Sequence, residues 1–205
     1  MTLEAVRPDT GVRWLDLVAT RANWSGQSGS AGHGRTVTDT LRDPDALAGW
    51  LSDHGLATET IPTAGELAVV RQVRAALREL AEARVRERPS HPQALDTLNA
   101  ALATAARVPR PVVVSDPIEP GHLRRRLPDV DAALLLIIEE AVDTMAGRDA
   151  VHLHECEEPG CGTLFYDPTG RRRWCSGQAC GTRARVRAHR ERRRAAGAAE
   201  VQAAG

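Results

Sequence analysis

The sequence contains no lysine, so all 27 of its permanently charged basic residues are arginines. Because the guanidinium group is a planar fork that pairs well with phosphate, every such charge in the chain suits a polyanion. Aromatic residues are also scarce, at 3% of the chain. A hydrophobic core must therefore be built mainly from Leu, Val, Ile and Ala.

The sequence also lacks a secretory signal and a long apolar segment. The N-terminal stretch, MTLEAVRPDTGVRW, has no basic region followed by an apolar one. The longest apolar run, AALLLII at 132–138, is far shorter than the roughly 20 residues that cross a bilayer. We therefore expect a cytoplasmic protein with no membrane partner. In that compartment, clustered cysteines are more often metal ligands than disulfides.

Charge is distributed unevenly, although the formal net charge is zero. Residues 171–205 carry ten Arg against two Glu, whereas residues 1–170 carry seventeen Arg against twenty-five acidic residues. An acidic body joined to a basic C-terminal segment indicates that this segment meets a polyanion while the body has another role.

Helical periodicity and helix-capping signals dominate the first three quarters of the chain. Asp43 is a predicted N-cap, Gly55 a predicted stop signal, and Thr63 with Glu66 a predicted capping box. The spacing of apolar residues predicts helices over 12–24, 42–55, 63–88, 92–107 and 129–147. Short strands are predicted over 111–115, 122–127 and 150–156. Residues 25–36 are rich in Gly and Ser but lack a G-K-[ST] ending, so they predict a flexible loop rather than a nucleotide site.

All four cysteines lie within one short segment, spaced Cys156-x4-Cys161-x13-Cys175-x4-Cys180. Zinc prefers four soft ligands in a structural site, and two close pairs can deliver them. The sequence between the pairs, LFYD-PTG-RRRW, predicts a β-hairpin that brings the pairs to one point. We therefore predict one structural zinc ion with four cysteine ligands, whose binding would supply the folding energy that so small a module lacks.

Other uses of the four thiols are weaker alternatives. Two disulfides fit poorly with a cytoplasmic location, a redox pair needs C-x-x-C beside a helix start, and the familiar iron–sulfur spacings differ. His152 and His154 lie close enough to replace a cysteine in a catalytic zinc site. Four available thiolates nevertheless favour a closed site.

A basic helix is predicted to follow the second cysteine pair, with Ser176 as its N-cap. Its arginines at i, i+4, i+7 and i+11 share one face. Such a helix repels itself, so we expect a polyanion to neutralise it, with the preceding arginines on phosphates and the helix in a major groove. The residues predicted in this way to bind nucleic acid are Arg171, Arg172, Arg173, Arg183, Arg185, Arg187, His189, Arg190, Arg193 and Arg194.

These features predict an α+β protein in three parts. Residues 1–149 form a mostly helical N-terminal domain with a few strands, and residues 150–197 form a small zinc-binding module of β-hairpin and Arg-rich helix. Residues 198–205 are expected to be a flexible tail.

The cysteine segment resembles the CGNR zinc fingers of bacterial proteins whose N-terminal part is called the ABATE domain. The resemblance rests on C-x4-C-x3-F-x-D, on RRRWC and on CGTRARVRAHRERRR, and it extends weakly over the "LVATR" and "DPDALAGWLSDHGL" helices. It implies zinc ligands at Cys156, Cys161, Cys175 and Cys180, and a stress-induced transcriptional regulator. The namesake motif falls on residues 180–183, which adds Thr182, in place of the family's Asn, to the predicted nucleic-acid contacts. Ala19 likewise stands where the family pattern has Asn.

The resulting hypothesis is a zinc-dependent DNA-binding regulator that contacts double-stranded DNA through its C-terminal module. The N-terminal domain would sense a small-molecule effector or form a homodimer. An RNA-binding protein or a protein-interaction adaptor with structural zinc is the alternative, although few aromatics are available to stack bases. An enzyme with its site in the N-terminal domain is less favoured, because no nucleophile or nucleotide motif is present and the histidines there are scattered. We therefore expect no catalytic residues.

Overall fold

The computed structural model describes residues 10–23, 37–104 and 129–203. The chain divides into two compact units, which we call the helical unit (Asp39–Ala150) and the cysteine unit (Met1–Thr38 with Val151–Gly205). The three parts predicted from the sequence, 1–149, 150–197 and 198–205, stay a prediction; the compact units group the residues before 39 with those after 150.

Six α-helices and four short strands make up the described chain, with one 3-10 helix at Arg148–His152. In chain order they are α1 (Arg13–Ala19), β1 (Arg21–Asn23), β2 (Val37–Asp39), α2 (Pro44–Asp53), α3 (Ala64–Val85), α4 (Pro92–Thr104), α5 (Val130–Ala146), β3 (Leu153–Glu155), β4 (Leu164–Tyr166) and α6 (Cys180–Ala203). This is the predicted α+β class, with helix dominating. None of the helices in the described ranges combines the length and the apolar character of a membrane span.

Side-chain caps fix where the helices of the helical unit begin. The Asp43 carboxylate accepts from Ala46 N at 2.8 Å. Thr63 and Glu66 form the predicted capping box, in which Glu66 N donates to Thr63 Oγ1 at 3.2 Å and Thr63 N donates to the Glu66 carboxylate at 2.6 Å. These contacts satisfy amide groups that the first helical turn leaves without partners. The predicted starts of α2 and α3 are confirmed.

The core of the helical unit is aliphatic, as the scarcity of aromatics predicted. Helix α3 contacts α2, α4 and α5. The largest side chains of this core, each no more than 6% exposed, are Leu41, Leu47, Trp50, Leu51, Leu67, Val70, Val73, Leu77, Leu98, Val130, Leu134, Leu135, Ile137 and Ile138.

An ion pair between a buried arginine and a half-buried aspartate joins the start of the helical unit to α3. The Arg74 guanidinium, 4% exposed, faces the Asp39 carboxylate with Nη1 2.8 Å from Oδ1. Arg71, one turn earlier, donates to Leu41 O at 2.6 Å. Burial raises the pKa of Asp39, but the hydrogen bond and charge of Arg74 outweigh it, so the pKa lies below its usual value. This pair orders the residues that lead into α2.

The cysteine unit is built on a two-stranded antiparallel hairpin in which Leu153 pairs with Tyr166 and Glu155 with Leu164. The chain before α1 contacts β4, where Tyr166 N donates to Thr10 O at 2.7 Å. Gly11 has φ +86°, and a Cβ there would lie 2.7 Å from Tyr166 O. Only glycine permits this close approach without a shift of the backbone.

The structure differs from the sequence-based expectation at several elements. The predicted helix over 12–24 ends at Ala19 and is followed by β1, which pairs with β2. The predicted strand over 150–156 is confirmed only for β3. Helix α6 continues to Ala203, through most of the expected tail. The predicted loop at 25–36 and the predicted strands at 111–115 and 122–127 lie outside the described residues.

The predicted hairpin between the two cysteine pairs, in which residues 171–174 would pair with the strand before them, is wrong. Strand β4 forms as expected, but residues 171–174 are not a strand, and β4 pairs with β3 instead. The reason lies in Asp167, whose carboxylate accepts from Thr169 N at 3.0 Å and from Arg172 N at 2.7 Å. These hydrogen bonds turn the chain after β4. They also occupy the backbone N–H of Arg172, which could otherwise pair with a neighbouring strand.

Candidate metal centre and basic helix

The four cysteine sulfurs lie together inside the cysteine unit. All four residues are buried free thiols, and their Sγ atoms lie within 4.8 Å of one another. The Cys161 and Cys175 sulfurs are 3.7 Å apart, and the Cys180 sulfur is 3.6 Å from each of them. No other group of three or more possible ligands occurs in the described ranges, and neither His152 nor His154 belongs to this one.

These distances suit one zinc ion and are too long for disulfide bonds. A zinc ion bonded to four sulfurs at about 2.3 Å holds them about 3.8 Å from one another. A disulfide would need about 2.05 Å. The cluster therefore has the size and donor set of a closed, structural four-cysteine zinc site. It offers no open position for a substrate.

Each cysteine pair is presented by a tight turn. Cys156 and Cys161 lie in the loop between β3 and β4, where Cys156 N donates to Thr163 O at 2.9 Å and Cys161 N donates to Glu158 O at 3.0 Å. In the second turn, Ala179 N donates to Ser176 Oγ at 3.1 Å. Ser176 thus caps the turn before α6, but it is not the predicted N-cap of the helix, because α6 begins only at Cys180.

The pKa values of two of the clustered thiols are shifted in opposite directions. Hydrogen bonds with the Cys156 and Cys175 thiols, and with the Thr163 hydroxyl, lower the pKa of Cys161. Hydrogen bonds with Cys156 and Cys161 raise the pKa of Cys175. Neighbouring sulfurs therefore share protons instead of all ionising. A divalent cation would compensate the charge of four thiolates.

Aromatic and arginine side chains cover the cluster. Phe165 is fully buried against the four cysteines, and Trp174 packs on the same group. The Arg172 guanidinium lies 4.9 Å from the centroid of the Phe165 ring and donates to Cys175 O at 2.8 Å. Arg172 therefore belongs to the wall of the metal centre.

Several arginines predicted to bind nucleic acid instead contact other side chains of the cysteine unit. Arg183 Nη2 lies 3.0 Å from Cys180 Sγ. Burial lowers the pKa of Arg183, but this contact and nearby negative charges raise it overall. Arg187 donates twice to the Glu158 carboxylate, at 2.8 and 3.0 Å. These two residues hold the first turns of α6 against the metal site.

Two further predicted contacts have local partners. Arg173 Nε donates to the Glu157 carboxylate at 2.8 Å, and its guanidinium lies 5.3 Å from the Trp174 ring centroid. Arg185 donates to Thr182 Oγ1 at 2.9 Å and to Gly177 O at 3.3 Å. The Thr182 hydroxyl thus accepts a hydrogen bond from an arginine in the same helical turn.

The remaining predicted contacts are exposed. Within the described ranges their side chains make no hydrogen bond or ion pair; they are Arg171, His189, Arg190, Arg193 and Arg194. An open groove of about 520 Å³ runs along α6 beside part of this set. The residues that line it are Thr182, Arg183, Val186, Arg187, Arg190, Glu191 and Arg194. Basic surface is therefore available mainly beyond the second turn of α6.

Sequence reasoning missed the acidic partners in the first cysteine loop. Glu158 is 7% exposed and lies 29 residues from the arginine that it binds. The sequence EEPG between two predicted ligands carried a usable signal, because a carboxylate beside four thiolates is unfavourable without a cationic partner.

Comparison with known families covers nearly the whole described chain. The ABATE family, described as "Putative stress-induced transcription regulator", matches residues 11–148. The CGNR zinc finger matches residues 152–193, which include all four cysteines and the first half of α6. No curated protein matches the chain.

Proposed function

Because the chain belongs to the ABATE family and carries a CGNR zinc finger, we propose that it is a zinc-dependent, DNA-binding transcriptional regulator. Its cysteine unit would bind double-stranded DNA through α6. Its helical unit would sense an effector or form a homodimer. Neither matching family is a family of enzymes.

The observation that carries the proposal is the connection between the metal site and the basic helix. Cys180 is both a ligand and the first residue of α6, and Arg183 contacts its sulfur. Four thiolates gathered around zinc would therefore fix the start of the helix, and with it the direction of the exposed arginines. Zinc would organise the DNA-binding surface without touching DNA.

The charge of the chain supports a polyanionic partner for this surface. Residues 171–194 contain ten Arg and one Glu, whereas residues 1–170 carry an excess of acidic residues. DNA would repel the acidic part of the chain, and the protein would therefore approach DNA with its basic surface. If about five phosphates are neutralised, the logarithm of the affinity should fall with a slope of roughly −4.5 against the logarithm of the salt concentration.

The test is a selection of bound duplexes from a random DNA pool, with zinc-loaded protein and a chelated sample side by side. A recurrent motif found only with zinc supports the regulator, and a palindromic motif supports a dimer. A matched variant replaces Arg190, Arg193 and Arg194 by Ala; these residues lie outside the internal ion pairs, so zinc content should be unchanged while binding falls. Binding of RNA in preference to duplex DNA, or of neither, would favour the RNA-binding or adaptor alternative.

A further inference from the structure

The two flanks of α6 differ in what they contact. Arg183 and Arg187, four residues apart, lie on one face, and both are engaged with the cysteine unit, through Cys180 Sγ and the Glu158 carboxylate. A side chain held in this way would have to break its contact to reach a base. The stripe of arginines predicted from the sequence is therefore divided, with its first half committed to holding the helix in place.

The row of residues beside that face is exposed, and it meets the face of Arg183 and Arg187 at Arg190. Thr182, Val186 and Arg190 follow one another at intervals of four residues, and all three are exposed. His189 and Arg193 lie beside this row and are exposed as well. We call these five residues the exposed ridge.

Val186 is the unusual member of the exposed ridge. It is 44% exposed, so its apolar surface is only partly removed from water. A β-branched residue also favours helix less than the Arg and Ala around it. Neither burial nor helix propensity explains a valine here. An apolar side chain on a basic helix has an evident partner in the major groove, because thymine presents a methyl group there.

Arg190 complements Val186 one turn further along. It is exposed and joins no ion pair in the described part of the chain, so its guanidinium is available for the two acceptors of guanine, O6 and N7. Glu191 lines the groove on the side of Arg187 and disfavours a phosphate path along that flank. The ridge rather than the anchored flank therefore suits the base edges.

We propose that the exposed ridge reads the DNA sequence, with Val186 against a thymine methyl and Arg190 on a guanine. Four helical residues rise about 6 Å, and stacked base pairs are about 3.4 Å apart. The two bases should therefore lie about two base pairs from each other. This assignment rests on the proposed function and adds which side of α6 is specific.

The experiment repeats the duplex selection with Val186→Ala, Arg190→Ala and a control, Arg192→Ala. Arg192 carries the same charge as Arg190 on nearly the opposite side of the helix. Arg190→Ala should lose the guanine preference at one position by about tenfold, whereas Arg192→Ala should keep the motif of the unchanged protein and lose affinity on all duplexes alike. Zinc content is measured for each variant to show that the metal site is intact.

A second measurement changes the DNA instead of the protein. Replacing the selected thymine by deoxyuridine removes one methyl group, which should weaken the unchanged protein about fourfold and leave Val186→Ala unaffected. The ridge is refuted if the protein binds DNA with zinc but all three variants select the same motif, if no motif appears, or if the deoxyuridine duplex binds equally well. Absence of zinc-dependent DNA binding by the unchanged protein would instead refute the proposed function.

Discussion

The helical unit buries rows of aliphatic side chains between long helices, whereas the cysteine unit gathers four cysteines around one phenylalanine. The first arrangement is stabilised by removal of apolar area from water. The second also buries apolar side chains, such as Trp14, Leu15 and Leu17 of α1, but it adds four thiols, a capped turn and ion pairs. Two parts of one chain should therefore respond to different perturbations, and this difference can be tested directly.

The largest effect is expected from removal of one metal ligand. Cys175→Ser should abolish zinc binding and unfold the cysteine unit, because a structural zinc contributes on the order of 10 kcal/mol. The helical unit should keep its amide protection. Metal analysis and hydrogen exchange measure the two outcomes, and chelation of the unchanged protein should reproduce them. One zinc per chain in the variant would contradict the four-cysteine site.

A core substitution in α3 should destabilise the helical unit and leave zinc bound to the cysteine unit. Leu77 is fully buried, so Leu77→Ala should destabilise the helical unit by about 2–5 kcal/mol through lost burial and a cavity. Val69 on the same helix is 40% exposed, and Val69→Ala should cost less than about 1 kcal/mol. Denaturant unfolding gives both values. Loss of zinc in Leu77→Ala at full helical stability would reverse the comparison.

The ion pair between Asp39 and Arg74 tests whether charge matters inside the aliphatic unit. Asp39→Ala leaves Arg74 buried without this partner, and we expect a loss of about 3 kcal/mol. Asp45, exposed in the first turn of α2, provides the control, and Asp45→Ala should cost less than about 1 kcal/mol.

The same pair should make stability depend on acid. The pKa of Asp39 is lowered in the folded chain from 3.8. Its contribution is therefore complete above about pH 4 and is lost as the pH falls through the folded value. An acid titration of the unfolding free energy should show this loss in the unchanged protein and not in Asp39→Ala. Parallel curves for the two proteins would show that the pKa of Asp39 is the same in the folded and the unfolded chain, which contradicts the prediction.

The parts of this fold that could be predicted from sequence are those set by neighbours along the chain. The capping box of Thr63 and Glu66 and the N-cap Asp43 join residues three apart, and apolar spacing along α3 reports one helix face. The four ligands were predictable because zinc accepts few donor sets. The family match over 152–193 agrees with that chemistry.

The parts that could not be predicted depend on residues distant in the chain. Alternation in LFYD indicates a strand but not its partner, and both β3 and residues 171–174 were available to it. An arginine on a helix face looks the same in sequence whether it meets a phosphate or a carboxylate. Glu158 decides the role of Arg187 from 29 residues away.

The smallest predicted effect compares two ion pairs of the cysteine unit, one with a buried carboxylate and one with both partners exposed. Glu158→Gln keeps the shape of the side chain and removes the charge that Arg187 binds. Because Glu158 is 7% exposed but Arg187 is 41% exposed, we expect a loss of only about 1 kcal/mol, with zinc still bound.

Glu157→Gln is the matched control in the same loop. Glu157 and Arg173 are 49% and 65% exposed, and a pair so open to solvent should contribute less than the pair of Glu158 and Arg187. Hydrogen exchange of the α6 amides in zinc-loaded protein compares the two variants. Faster exchange in Glu158→Gln alone would show that Glu158 holds the helix against the metal site. Equal exchange in both would mean that zinc and Arg183 fix the helix without help from Glu158, and DNA affinity should then be the same in the two variants.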